Sequence, residues 1–233
     1  MSQQRPTNPA MRRLVDFYDP ATKGEDVGGR TLEEILRWPD TRLEAIHNYI
    51  QILFPLPEGS LFNPWAPVVD EEGYLYLSQN DDFKPTMRRV LTRMLSFYGF
   101  DITWDTNAEG KRLVALTPKA GAWTQKSLPP WVCWMDHNHL RISRILRSLR
   151  VLGLEDEANA FFTALVWTVE THGRIGENSV KFWKRAVERP LHVAPDGTEV
   201  DWLKKYEGRK VEEKKDDSAT AMAPAKLSSE TSS

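Results

Sequence analysis

Apolar residues recur along this chain with the period of a helix far more often than with the period of a strand. Leu43, Ile46, Ile50, Leu53 and Phe54 fall at helical spacing, while Glu44, His47 and Gln51 lie three and four apart on the adjoining stripe. The pattern predicts one long helix capped by Asp40. Pro55 and Pro57 stop it, and the chain then turns through an extended, polyproline-like corner towards Asn63-Pro64-Trp65-Ala66-Pro67. Val90, Leu91, Met94, Leu95 and Tyr98 mark a helix over residues 85–98, closed by Gly99. Further helices are expected at 14–18, behind Thr31, which forms a capping-box pair with Glu34, and at 138–152, 155–171 and 179–188. Residues 100–104 and 112–116 alternate instead, around Asn107-Ala108-Glu109-Gly110, and predict a small peripheral β-hairpin. Helix following helix across short gaps predicts a mainly α, single-domain helical bundle over residues 14–203. Residues 1–13 read as a disordered lead, and 204–233 as a charged, then Ser/Ala-rich disordered tail ending in AMAPAKLSSETSS. Trp202, just before that tail, is expected to dock on the body.

Composition narrows the classes. With 233 residues, 40% of them apolar, the chain can bury one sizeable core. Its nine tryptophans bring large apolar area and indole donors that need partners; most are expected in the core, with Leu53, Phe54 and Trp65 burying the corner. Cys133 is the single cysteine, so no internal disulfide can form and an intracellular setting, cytoplasmic or nuclear, is the expectation. The start MSQQRPTNPAMRR has no secretory apolar stretch. The longest apolar run, 160–169, falls well short of the ~20 residues that cross a bilayer, which leaves peripheral membrane association at most. A formal net charge of −2 gives no general field for nucleic acid.

The densest polar group is Asp136-His137-Asn138-His139 at a helix start, immediately after Trp131 and Trp134. An H-x-H pair can ligate a metal with an oxygen from Asp136, but the third imidazole would have to be His47, and helix capping by Asp136 or Asn138 is the stronger reading. No metal and no cofactor are expected. Arg141, Arg144 and Ser148 share one face of the helix that follows, with Arg147 and Arg150 on its flank and Leu140, Ile145, Leu149 and Leu152 opposite. That face either holds carboxylate or phosphate through guanidinium forks, or is a solvated stripe paired with Glu155-Asp156-Glu157. Glu44, His47 and Gln51 would let a carboxylate set the basicity of an imidazole, so Glu44, His47 and His139 are the catalytic candidates. No G-x-S-x-G, phosphate-binding glycine loop or paired-cysteine motif occurs.

Four motifs carry a family resemblance. HNYIQILFPLPEG at 47–59 followed by NPWAP, Leu14-Val15-Asp16-Phe17-Tyr18, Leu95-Ser96-Phe97-Tyr98-Gly99, and NHLRISRILRSL at 138–149 together resemble the opioid growth factor receptor conserved region. Order and approximate spacing agree across roughly 14–188. The resemblance implies a receptor for an enkephalin-type peptide, associated with the nucleus and nuclear envelope. The chain ends soon after the region of resemblance, without the long repeat-bearing tail of the vertebrate receptors. Three function classes stay open. The first is a module binding a peptide or small, including anionic, ligand through Gln51, Trp134, Asp136, His137, Asn138, Arg141 and Arg144. The second is an acid–base isomerase, cyclase or lyase, which needs Glu44, His47 and the 136–139 segment to face one enclosed cavity. The third is an interaction scaffold. The binding module is favoured, since ring, carboxylate and amine of a peptide could each find a matching side chain.

Overall fold

The computed structural model describes residues 4–60, 63–124 and 127–221. Helix α1 (Pro9–Tyr18) opens on Asn8, whose side chain accepts the Ala10 amide, with a proline in the first turn where no amide is missed. It starts earlier than the pattern from Leu14 suggests, because Met11 is buried against the body. Residues 9–13 thus leave the expected disordered lead, and residues 1–3 lie outside the described residues. Helix α2 (Leu32–Leu36) carries the expected capping box, with both the Thr31 and the Glu34 bonds formed.

The long helix predicted over 40–54 is two short ones. Helix α3 (Asp40–Ala45) follows Pro39, with Asp40 as its first residue rather than its cap, and helix α4 (Ile50–Leu53) resumes after a break at Ile46, which is extended (φ −97°, ψ 132°). The apolar spacing is compatible with continuity, but a tertiary partner wins. Carbonyls that a continuous helix would give to its own amides are taken by a buried guanidinium from another helix. Glu44, His47 and Gln51 consequently do not form one stripe. Leu53 and Phe54 bury as expected, whereas Trp65 is 79% exposed.

Helix α5 (Glu71–Gln79) was not legible in the periodicity; Asp70 caps it through the Gly73 amide. Helix α6 (Phe83–Phe97) ends at Gly99, whose φ of +87° only glycine adopts without strain. Strands β1 (Phe100–Thr106) and β2 (Arg112–Pro118) pair antiparallel from Phe100 opposite Pro118 to Thr106 opposite Arg112, and lie on helix α8 (Glu155–His172). Helix α7 (His137–Val151) runs through the centre, flanked by α8 and by α9 (Glu177–Glu188), and buries Ile142, Ile145, Leu146 and Leu149 completely. Leu140, expected on its core face, is 53% exposed. One apolar cluster extends from Met11 to Leu203.

Helix α10 (Asp201–Ala221) occupies the first part of the expected tail. Contacts that composition does not reveal order it: Trp202 and Tyr206 pack on Tyr74, and the Glu207 carboxylate accepts the Leu191 and His192 amides. Residues 222–233, which hold the Ser/Ala-rich end, lie outside the described residues. Among the described residues no helix is long and apolar enough to cross a membrane.

Candidate functional site

Four arginines on α7, at positions 141, 144, 147 and 150, recur every third residue and therefore wind around the helix rather than forming one stripe. Each reaches a different part of the surrounding chain. Arg141 caps the broken end of α3. Its guanidinium donates to the carbonyls of Leu43 (3.0 Å), Glu44 (3.4 Å) and Ile46 (2.9 Å), to Asn138 Oδ1 (3.2 Å) and to His47 Nδ1 (2.9 Å). Arg147, 1% exposed, forks onto Glu58 (2.6 and 3.0 Å) and also donates to the Leu191 carbonyl. Arg150 donates to the Ala186 and Arg189 carbonyls and pairs with Glu155. These are structural braces. The expected solvated basic face does not exist, because the arginines turn inward to carbonyls left over at helix ends.

Arg144 differs. Its Nε donates to the Phe54 carbonyl (2.7 Å), beside which Ser148 Oγ takes the Pro55 carbonyl, and no carboxylate among the described residues lies within ion-pair distance of it. Burial of this charge draws the pKa of the guanidinium down to about 10, against the weaker opposing pull of Glu58 and Tyr18.

Arg144 faces a cleft of about 350 Å³ where α4 and the proline corner, α7, α9 and the 194–196 turn meet. Five residues singled out in the sequence line it: His47, Gln51, His137, Arg141 and Arg144. Ile50, Leu56, Leu140, Phe182 and Pro195 supply apolar wall. Gln51 is held with its amide nitrogen towards the His47 and Asn48 carbonyls. His47 and His137 stand edge to face at the exposed rim, ring centroids 5.0 Å apart. Partial burial, then Arg141 and His137, lower the His47 pKa against Glu44. His47 accepts from Arg141 through Nδ1, so in the neutral ring Nε2 carries the proton.

The other candidates lie elsewhere. Asp136 is the N-cap of α7, accepting the Asn138 amide at 2.7 Å, and Asn138 is buried with its amide on Glu44 Oε2. Trp134 is 71% exposed, its carbonyl bound to the Gly176 amide. His139 is buried away from the cleft: Nε2 meets the Trp131 carbonyl and Nδ1 meets Ser179 Oγ, both at 2.8 Å. Burial lowers its pKa, against the Trp131 carbonyl and Asp136, and so favours the neutral ring. His137 and His139 therefore point apart and make no H-x-H site. Among the described residues, Glu44, Asp136 and His137 form the group near enough to share a cation, with ligand atoms within 4.8 Å, and His137 Nε2 sits 3.1 Å from Glu44 Oε1. Sequence reasoning missed Glu58 and Phe182 as parts of the cleft, and it reads Asp196-Gly197 as a turn without placing that turn at the cleft. Only the PLPEG end of the corner motif hinted at Glu58.

The comparisons with known proteins cover most of this fold. Residues 15–191 match the opioid growth factor receptor (OGFr) conserved region. The chain is 34% identical over 130 residues to the opioid growth factor receptor of Rattus norvegicus, covering 54% of this chain and 21% of that protein. It is 33% identical over 161 residues to opioid growth factor receptor-like protein 1 of Mus musculus, covering 65% of this chain and 30% of that protein. The chain thus spans less than a third of the length of either relative. No solved structure matches significantly. The family match runs from within α1 to just past the end of α9 and stops short of the 194–196 turn, so the chain belongs to the opioid growth factor receptor conserved-region family.

Proposed function

We propose that this domain is a ligand-binding module whose site is the cleft between the proline corner, α7 and α9. The observation that carries the reading is the cleft's composition: apolar walls converge on a small set of oriented polar groups, the usual make-up of a small-molecule or peptide site. The relatives named as receptors agree with that reading. Acid–base catalysis is less well supported, since Glu44, Asp136 and His139 do not line the cleft and its two histidines stand at the exposed rim. A lone cysteine supports an intracellular setting.

Thermal-shift screening of short peptides and small organic ligands tests the proposal. Compounds that bind the native state should raise the melting temperature of the wild type, and the larger side chain of Leu140→Trp should abolish that shift. Shifts that persist in Leu140→Trp would place binding elsewhere, and a screen without any shift would count against a binding module.

A further inference from the structure

The four α7 arginines differ in how completely their donors are used. Among the described residues Arg141 makes five hydrogen bonds, Arg147 three and Arg150 three, and each of these sets spans two nitrogens. Among the described residues Arg144 makes one, through Nε alone. Both terminal nitrogens remain, and the residue lines the cleft. The nearby acid is already committed, since both oxygens of Glu58 are held by Arg147. Tyr18, the other group acting on Arg144, spends its hydroxyl on the Leu53 carbonyl at 2.6 Å. The positive charge thus sits in largely desolvated surroundings with no carboxylate among the described residues within ion-pair distance, an arrangement that costs stability unless a binding partner completes it.

We propose that the cleft takes an amphiphilic anion, whose carboxylate or phosphate head forks onto the terminal nitrogens of Arg144 while an apolar tail lies along Leu140 and Phe182. This rests on the cleft being the binding site and names the class of ligand it holds. A planar carboxylate or a phosphate monoester matches the two parallel donors of a guanidinium. Both heads share the chemistry that Arg144 recognises, and the tail matches the apolar wall next to it. A cleft of about 350 Å³ suits a ligand of modest size.

Calorimetric titration of the full chain with octanoate, octyl phosphate and 1-octanol separates head from tail. On the wild type, at least one of the anions should bind about tenfold more tightly than the alcohol, and which one shows whether carboxylate or phosphate is preferred. Arg144→Met should erase that advantage while leaving octanol affinity within about threefold, and Arg144→Lys should restore only part of it. Octanol binding as tightly as both anions to the wild type would overturn the head-group assignment and leave the cleft standing as a site. Anion preference surviving in Arg144→Met would also overturn it. If none of the three binds, the amphiphilic-anion assignment falls, and the thermal-shift screen with Leu140→Trp decides the cleft reading separately. The wild-type comparison decides the matter even if a variant fails to fold.

Discussion

Two places in this molecule face the same difficulty, a helix that stops and leaves carbonyls pointing into the protein, and they meet it with different side chains. At the proline corner, Arg141 and Arg144 take carbonyls from the ends of α3 and α4. At the end of α6, the indoles of Trp131 and Trp123 take the Tyr98 and Gly99 carbonyls. An indole has one donor, so each tryptophan is finished once its bond forms. A guanidinium has five, so an arginine can brace the chain and still have donors to offer. The tryptophan end is an aromatic piece of core, in which Phe100 meets Trp123, Trp131 and Phe161, and Trp123 meets Trp131. The arginine end opens into a cleft. Polar bracing leaves residual chemistry behind, and aromatic bracing does not.

The sharpest way to break this comparison is to remove a saturated brace. Arg147→Ala should destabilise the fold by about 3–5 kcal/mol, because Glu58 is left largely buried and unpaired. Urea denaturation checks it, and the double change Arg147→Met with Glu58→Gln should recover much of the loss. Trp131→Phe keeps most of the ring and strands one buried carbonyl, so its cost should be about 1–3 kcal/mol in the same experiment. If it matched Arg147→Ala, the two ends would not differ in the way described. The smallest effect is expected from pH. Burial holds the His139 pKa below its ordinary value, so the folded state favours the neutral ring. The stability it contributes is present above the usual imidazole pKa of about 6.5 and is lost as pH falls through the lower folded value. His139→Gln should flatten the fall in melting temperature between about pH 7 and pH 5; an unchanged slope would remove His139 from the account.

Legibility followed the physics of each region. The helices with strong apolar stripes, α6 to α9, lie within a few residues of where their spacing put them, since their periodicity and their burial have the same cause. The hairpin was readable from its alternation and turn. The α3–α4 break was not: Leu43, Ile46 and Ile50 are spaced for one helix, and only Arg141, distant in sequence, determines that there are two. Helix α10 was lost for a related reason, since Glu207 and Tyr206 gain their meaning from residues 191–192 and Tyr74. In the cleft, the arginines and His47 could be named from the sequence, but their division into saturated braces and one open donor depended on distances no pattern encodes. His139 misled because two neighbouring histidines on a helix start look equivalent until burial separates them.

The spacing of the α7 arginines limits how this protein can vary in length. A loop between helices can gain or lose a residue and leave the packed faces where they are. Within 141–150, a single inserted residue would turn everything beyond it by about 100° and shift it by about 1.5 Å. Arg147 would leave Glu58, and Arg150 would leave the carbonyls at the end of α9. Insertions and deletions in this stretch should therefore be far more damaging than substitutions, so its length, more than any one side chain, is what a functional variant must preserve.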